Sequence, residues 1–150
     1  FDAIILAAAG LTRLGVADGR AWRALTPDIM IPAVGQGCLA LQGRTDDARV
    51  REALLALDDA DSHAAALAER ALLTGLGGGC LAPIAAFATV DEEGTLTLQG
   101  LVGRMSDGFI VKDRVRGPRA EAQALGARLA QQLKEHGAAE LLFPEAGGPA

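Results

Sequence analysis

Three apolar runs, "IAAFATV" from Ile84, "TLTLQGLVG" from Thr95 and "FIVKDRVR" from Phe109, are separated only by "DEEG" and "RMSDG". No other feature restricts the fold as much. Connections this short close hairpins, whereas parallel neighbours need crossovers of about a dozen residues or more. The gaps carry Asp, Glu, Ser and Gly, which favour turns. The three runs are therefore predicted to form an antiparallel meander.

Helical stripes flank them. Thr45, Asp46 and Asp47 offer an N-cap, and Val50, Ala53, Leu54 and Leu57 then recur at helical spacing, predicting a helix of about three turns. After "DDAD", Asp58 to Asp61, whose carboxylates suit capping and solvation, a second helix is expected from near Ser62 to Thr74, with Ala64, Leu67, Ala68, Ala71 and Leu72 on one face. A last helix is striped by Ala122, Leu125, Leu129 and Leu133 and closes on Lys134, His136 and a C′ glycine at Gly137. Helices on one face of a small antiparallel sheet make this portion α+β. With 150 residues and 50% hydrophobic content the chain has ample material for one core, since such a domain buries roughly 70% of its unfolded surface.

The first 44 residues have another texture: "AIILAAAG", "LTRLG" and "IMIPAVGQGCLAL", apolar runs broken by Gly and Pro. Continuous apolar runs suit strands buried on both faces of a parallel sheet. Only about two such strands fit, too few for a covered sheet, so the segment is expected to be the tail of an α/β region. The chain starts without methionine inside an apolar run, which suggests a piece of something longer.

A net charge of −5 argues against a nucleic-acid partner, while cations that are mostly arginine suit a small carboxylate-bearing ligand. No run of about 18 apolar residues and no cleavable leader appears, so no membrane association is expected. Cys38 and Cys80 are too few for a disulfide framework and have no metal-site spacing, and a reducing, cytoplasmic setting is the default.

In "GLGGGCLAPI" a lone thiol, Cys80, follows three glycines. Cys80 has three readings: a small buried hydrophobe, a nucleophile, or an attachment point for a bulky group. The second lacks a base, because neither His63 nor His136 has a sequence reason to be close. The third best explains the glycines, as room for an adduct. A Walker A loop fails, since Cys80 and Leu81 stand where Lys and Ser or Thr are needed, and a dinucleotide loop fails because the glycines follow a helix.

"FDAIILAAAGLTRLG", "IPAVGQGCLALQGR", "AERALLTGLGGGCLAPIAAFA" and "GLVG", in that order, resemble the porphobilinogen deaminase (hydroxymethylbilane synthase) family from Phe1 to about Leu142. The resemblance covers the C-terminal half of such enzymes. It implies that residues 1–34 end a second, periplasmic-binding-protein-like α/β domain, that 35–58 cross back to a first domain, and that 59–150 form the C-terminal α+β domain. It further implies a dipyrromethane cofactor held through a thioether at Cys80, and a reaction joining four porphobilinogen units into a linear tetrapyrrole with loss of ammonia. Arg13 is expected to hold pyrrole carboxylates as a bidentate fork, with a plain surface arginine as the alternative. Gln36, between Gly35 and Gly37, is expected to line the cleft or serve only as part of a hinge. Arg44 and Arg70 also match family arginines, and for Arg70 an ion pair within its helix or with a neighbouring domain is the favoured role.

Two departures are conservative: Cys38 stands where a small residue is common, and Gln42 where a glutamate is usual. The resemblance places the catalytic aspartate, a lysine and most cofactor-binding arginines in the N-terminal half. No catalytic residue is therefore expected in this chain, which alone would be inactive. The implied partners are porphobilinogen, pyrrole-chain intermediates and the N-terminal half, the complete protein being a monomer. Two other classes compete: a non-catalytic module binding an acidic ligand, and an interaction domain docking through an apolar face.

Overall fold

A computed structural model of the chain describes residues 2–15, 22–79 and 82–142. The chain divides into two compact units, residues 1–30 and 31–150.

The first unit holds one short helix, α1 (Ala8–Arg13), in which the Thr12 hydroxyl donates to the Ala8 carbonyl at 3.0 Å. Further on, the Ile29 and Met30 amides both donate to the Thr26 carbonyl at 2.9 Å. The strand expected from "AIILAAAG" is not formed: residues 2–7 have no regular structure, and Ile4 and Ile5 are 71% and 68% exposed. An apolar strand holds only when neighbours pair its backbone, and the described residues of this unit offer no such partner. "IMIPAVGQGCLAL", whose residues from Ile31 on lie in the second unit, contributes a single bridge, Ala33 to Ala85, rather than a strand.

In the second unit α2 (Ala48–Leu55) begins at Asp47, whose carboxylate accepts from the Val50 amide at 3.0 Å. It is shorter than the expected three turns and leaves Leu57 outside the helix, 69% exposed. The "DDAD" stretch caps the next helix as its composition suggests. The Asp59 carboxylate accepts from the Ser62 amide at 2.8 Å, and that bond holds its pKa below the ordinary value. From there α3 (Ala60–Leu76) buries Ala64, Ala68, Leu72 and Leu76, a stripe with a period of four.

The predicted meander is present as β1 (Ile84–Val90), β2 (Thr95–Gly103) and β3 (Ile110–Pro118), antiparallel in the order β1-β2-β3. Register fixes the two faces. Ala88, Leu98 and Val115 lie side by side and are buried, as do Ile84, Val102 and Val111. The alternate rows, such as Ala85, Leu101 and Lys112, belong to the other face. α4 (Ala122–Leu133) packs with α3 over the buried rows through Leu125, Leu129 and Leu133.

The two helices approach closely because Gly126 has no side chain. A Cβ there would lie 2.7 Å from the Ala71 Cβ and 2.9 Å from the Leu72 backbone nitrogen, and would also strike the Ala68 carbonyl. Gly137, at φ 97°, breaks the last helix where expected, although the chain then adds one more turn, α5 (Ala139–Leu142).

The β2–β3 turn is pinned by Asp107. Its carboxylate accepts from Arg104 Nε at 2.9 Å, from Arg104 Nη2 at 2.7 Å and from the Phe109 amide at 3.1 Å. The Arg104 hydrogen bonds, chiefly, hold the Asp107 pKa down to about 2. The guanidinium also lies 5.4 Å from the centre of the Phe109 ring.

Candidate functional site

Cys80, with Leu81, lies outside the described residues, and the structure describes its surroundings through Gly79 and Ala82. α3 ends on a Schellman motif: Gly77, at φ 71°, donates to the Thr74 carbonyl at 3.0 Å, and Gly78 donates to the Leu73 carbonyl at 3.2 Å. The Ala82 amide then donates to the Gly79 carbonyl at 3.0 Å, and Pro83 accepts from Gly103 at 2.9 Å. The residues before and after Cys80 are thereby tied to each other and to β2.

The glycines answer to different demands than the composition suggests. Gly75 sits in the α3–α4 contact, where a Cβ would come within 2.6 Å of the Ala130 methyl. Gly77 supplies the left-handed turn that stops the helix. A side chain at Gly78 would collide with Ile84 and come within 3.2 Å of the Ala82 Cβ. Gly79 faces open space. Of the three glycines before Cys80, Gly77 ends the helix, Gly78 packs against Ile84 and Gly79 meets nothing within 4 Å.

Free volume does lie beside the next residues. Ala82 and Pro83 border an open hollow of about 440 Å³ that Ala33, Leu101, Met105 and Phe109 also line. The hollow is mostly apolar, and Arg104, which also lines it, is paired with Asp107.

Gln36 is exposed on a turn that the structure ties down on several sides. Its amide donates to the Ala33 carbonyl at 3.0 Å, the Cys38 amide donates to the Gly35 carbonyl at 3.1 Å, and Gly35 has φ 70°. Just before it, the Pro32 carbonyl accepts from the Ala86 amide at 3.1 Å, and Ala33 bridges Ala85. The segment carrying Gln36 therefore runs along the free edge of β1, the strand that follows Cys80. Arg13, the last residue of α1, is exposed in the other unit.

Arg44 lies on an open surface with Gln42, Thr45 and Asp46. Arg70 is exposed on α3, and no ion pair within its helix is found among the described residues. The two histidines face carboxylates: His63 Nδ1 is 2.9 Å from Asp58, and His136 Nδ1 is 3.5 Å from Asp113. Cys38 is exposed.

The residue that sequence reasoning passed over is Glu69. Its side chain is buried, the only charged one so placed among the described residues. One carboxylate oxygen accepts from the Gly35 amide at 2.7 Å and the other from the Ala88 amide at 2.9 Å. Burial pushes its pKa up, and the two amides pull partly the other way. The helical period carried the signal, since Glu69 precedes the fully buried Leu72 by three residues and Leu76 by seven. A carboxylate on a buried stripe marks a group with a specific partner.

Comparison with known proteins adds the following. Residues 63–135 match the family model described as porphobilinogen deaminase, C-terminal domain, and residues 1–52 match that described as porphobilinogen deaminase, dipyromethane cofactor binding domain. The chain is 46% identical over 141 residues to the porphobilinogen deaminase of Syntrophotalea carbinolica, covering 94% of this chain and 44% of that protein. It is 43% identical over 142 residues to that of a Roseiflexus species, covering 95% and 46%, and 44% identical over 142 residues to that of Halalkalibacterium halodurans, covering 95% and 45%. The chain thus spans less than half the length of these curated relatives.

Proposed function

From the premise that this chain belongs to the porphobilinogen deaminase family, we propose that it is the cofactor-bearing C-terminal portion of a hydroxymethylbilane synthase, a transferase that joins four porphobilinogen units with loss of ammonia. The observation that carries this reading is the match of two models of one family, in order, over residues 1–52 and 63–135. In the same reading residues 1–34 close a periplasmic-binding-protein-like α/β domain, residues 35–58 form a crossover, and residues 59–150 are the attachment domain.

Cys80 holds the dipyrromethane group. The group would be held at the Cys80 sulfur through a thioether. A thioether suits this task because it survives the hydrolysis that releases product, where a thioester or imine would not. When bound, the group supplies the pyrrole ring on which the chain is extended. Arg13 binds acetate or propionate side chains through its planar fork, and Gln36 contributes a neutral donor and acceptor at the cleft. The substrate-activating carboxylate is contributed by the portion of the family that this chain does not span, so the chain alone does not turn over porphobilinogen.

Intact-mass measurement with peptide mapping tests this reading. The expected result, in chain co-produced with an N-terminal half, is a dipyrromethane adduct on Cys80 and none on Cys38. An unmodified Cys80 under those conditions, or turnover of porphobilinogen by the isolated chain, would overturn it.

A further inference from the structure

We propose that Glu69 is a positioning residue that fixes the Gly35–Gln36–Gly37 turn on β1 and so determines where Gln36 is presented. This rests on the role given to Gln36 above.

The geometry is specific. β1 uses one edge for β2 and turns the Ala86 and Ala88 amides toward the other. Pro32 satisfies Ala86, and Glu69 satisfies Ala88. The second Glu69 oxygen reaches the amide of Gly35, 34 residues away in sequence and immediately before Gln36. One carboxylate therefore clamps three elements: helix α3, strand β1 and the turn.

A buried carboxylate costs desolvation, and only two backbone dipoles offset it here. Leucine at this place on the α3 stripe would avoid that cost but leave the Gly35 and Ala88 amides without an acceptor. What leucine cannot do is accept two hydrogen bonds from two separate segments. Gln36 itself has an exposed side chain, so the turn depends on its backbone bonds for a fixed position.

The test uses the whole 150-residue chain, labelled with ¹⁵N, as wild type, Glu69→Ala, Glu69→Gln and Leu129→Ala. Leu129→Ala is the control: it weakens the core without removing a hydrogen bond to the turn. The expected result is exchange of the Gly35 to Cys38 amides at least about tenfold faster in Glu69→Ala relative to amides of β2. Their shifts should move as well, with Glu69→Gln intermediate because one oxygen remains. Leu129→Ala should leave those shifts in place although the chain is less stable. Unchanged Gly35 and Gln36 signals in Glu69→Ala, or equal disturbance by Leu129→Ala, would overturn the proposal. Should Glu69→Ala not fold, Glu69→Gln gives the same comparison.

This readout needs no ligand, so it separates the two claims. Porphobilinogen added to wild type is expected to shift the Gln36 side-chain amide. An unmoved Gln36 would instead count against its binding role, and with it the functional part of the proposal.

Discussion

Glu69 and Gly35, far apart in sequence, meet at 2.7 Å through a carboxylate oxygen and a backbone amide. The bond joins the first turn of the second unit to its longest helix. Truncating Glu69 leaves two amides without acceptors, each at about 1–3 kcal/mol where buried. Glu69→Ala should therefore lower unfolding stability by roughly 2–4 kcal/mol, measured by urea denaturation. A loss under about 0.5 kcal/mol, the size of a plain surface change, would mean that the bonds are not maintained in solution.

The same carboxyl gives a pH signature. Its folded pKa is raised above 4.5 by burial, so the folded state holds the proton more tightly than the unfolded state. This contribution to stability is complete below pH 4.5 and is lost as pH rises through the folded pKa. Wild type should accordingly lose part of its stability margin over Glu69→Gln on going from pH 4 to pH 7. Tm measured for both proteins across that range checks the sign, and a margin that grows with pH would contradict it.

Asp107 has the opposite sign. Its pKa, about 2 against an ordinary 3.8, makes the contribution of the β2–β3 turn present above pH 4 and lost between about pH 4 and 2. Observing the Asp107 carboxyl carbon by NMR should give a midpoint near 2, and Arg104→Ala should return it toward 3.8.

Three glycines should respond unequally. Gly126→Ala pushes a methyl into the α3 backbone and should cost about 3 kcal/mol or more. Gly77→Ala, at φ 71°, should cost about 1–2 kcal/mol. Gly79→Ala meets nothing within 4 Å and should stay within about 0.5 kcal/mol. Equal costs at all three, in denaturant titrations, would contradict these assignments.

Cys38 is exposed, so Cys38→Ser should change stability by less than about 0.5 kcal/mol. Cofactor attachment in that variant, followed by mass, should be undiminished.

The elements read correctly from sequence are those whose partners lie close along the chain. Alternation in Thr95 to Gly103, the turn residues around Gly94 and Gly108, and the Leu125, Leu129, Leu133 stripe each specify a local geometry that packing then reinforces. The apolar run before Ala8 forms no strand here, because its pattern states a need for neighbours and nothing local meets that need. The glycines before Cys80 were read as one motif, yet Ala130, Ile84 and the end of α3 make separate demands on them. Those demands come from elements folded onto the loop from elsewhere. Glu69 was legible in principle, from its place on the α3 stripe, but its partners, Gly35 and Ala88, are not.

A three-stranded sheet has two edges, and open edges invite strands from other molecules. On β1 the Pro32 carbonyl and the Ala33 bridge occupy part of that edge, while Glu69 takes the Ala88 amide. On β3 Lys112, Arg114 and Arg116 are exposed at alternate positions. A second β3 brought alongside would set cation against cation. The segment that carries Gln36 and the basic row on β3 are thus arrangements of the kind that discourage edge-to-edge pairing of small sheets.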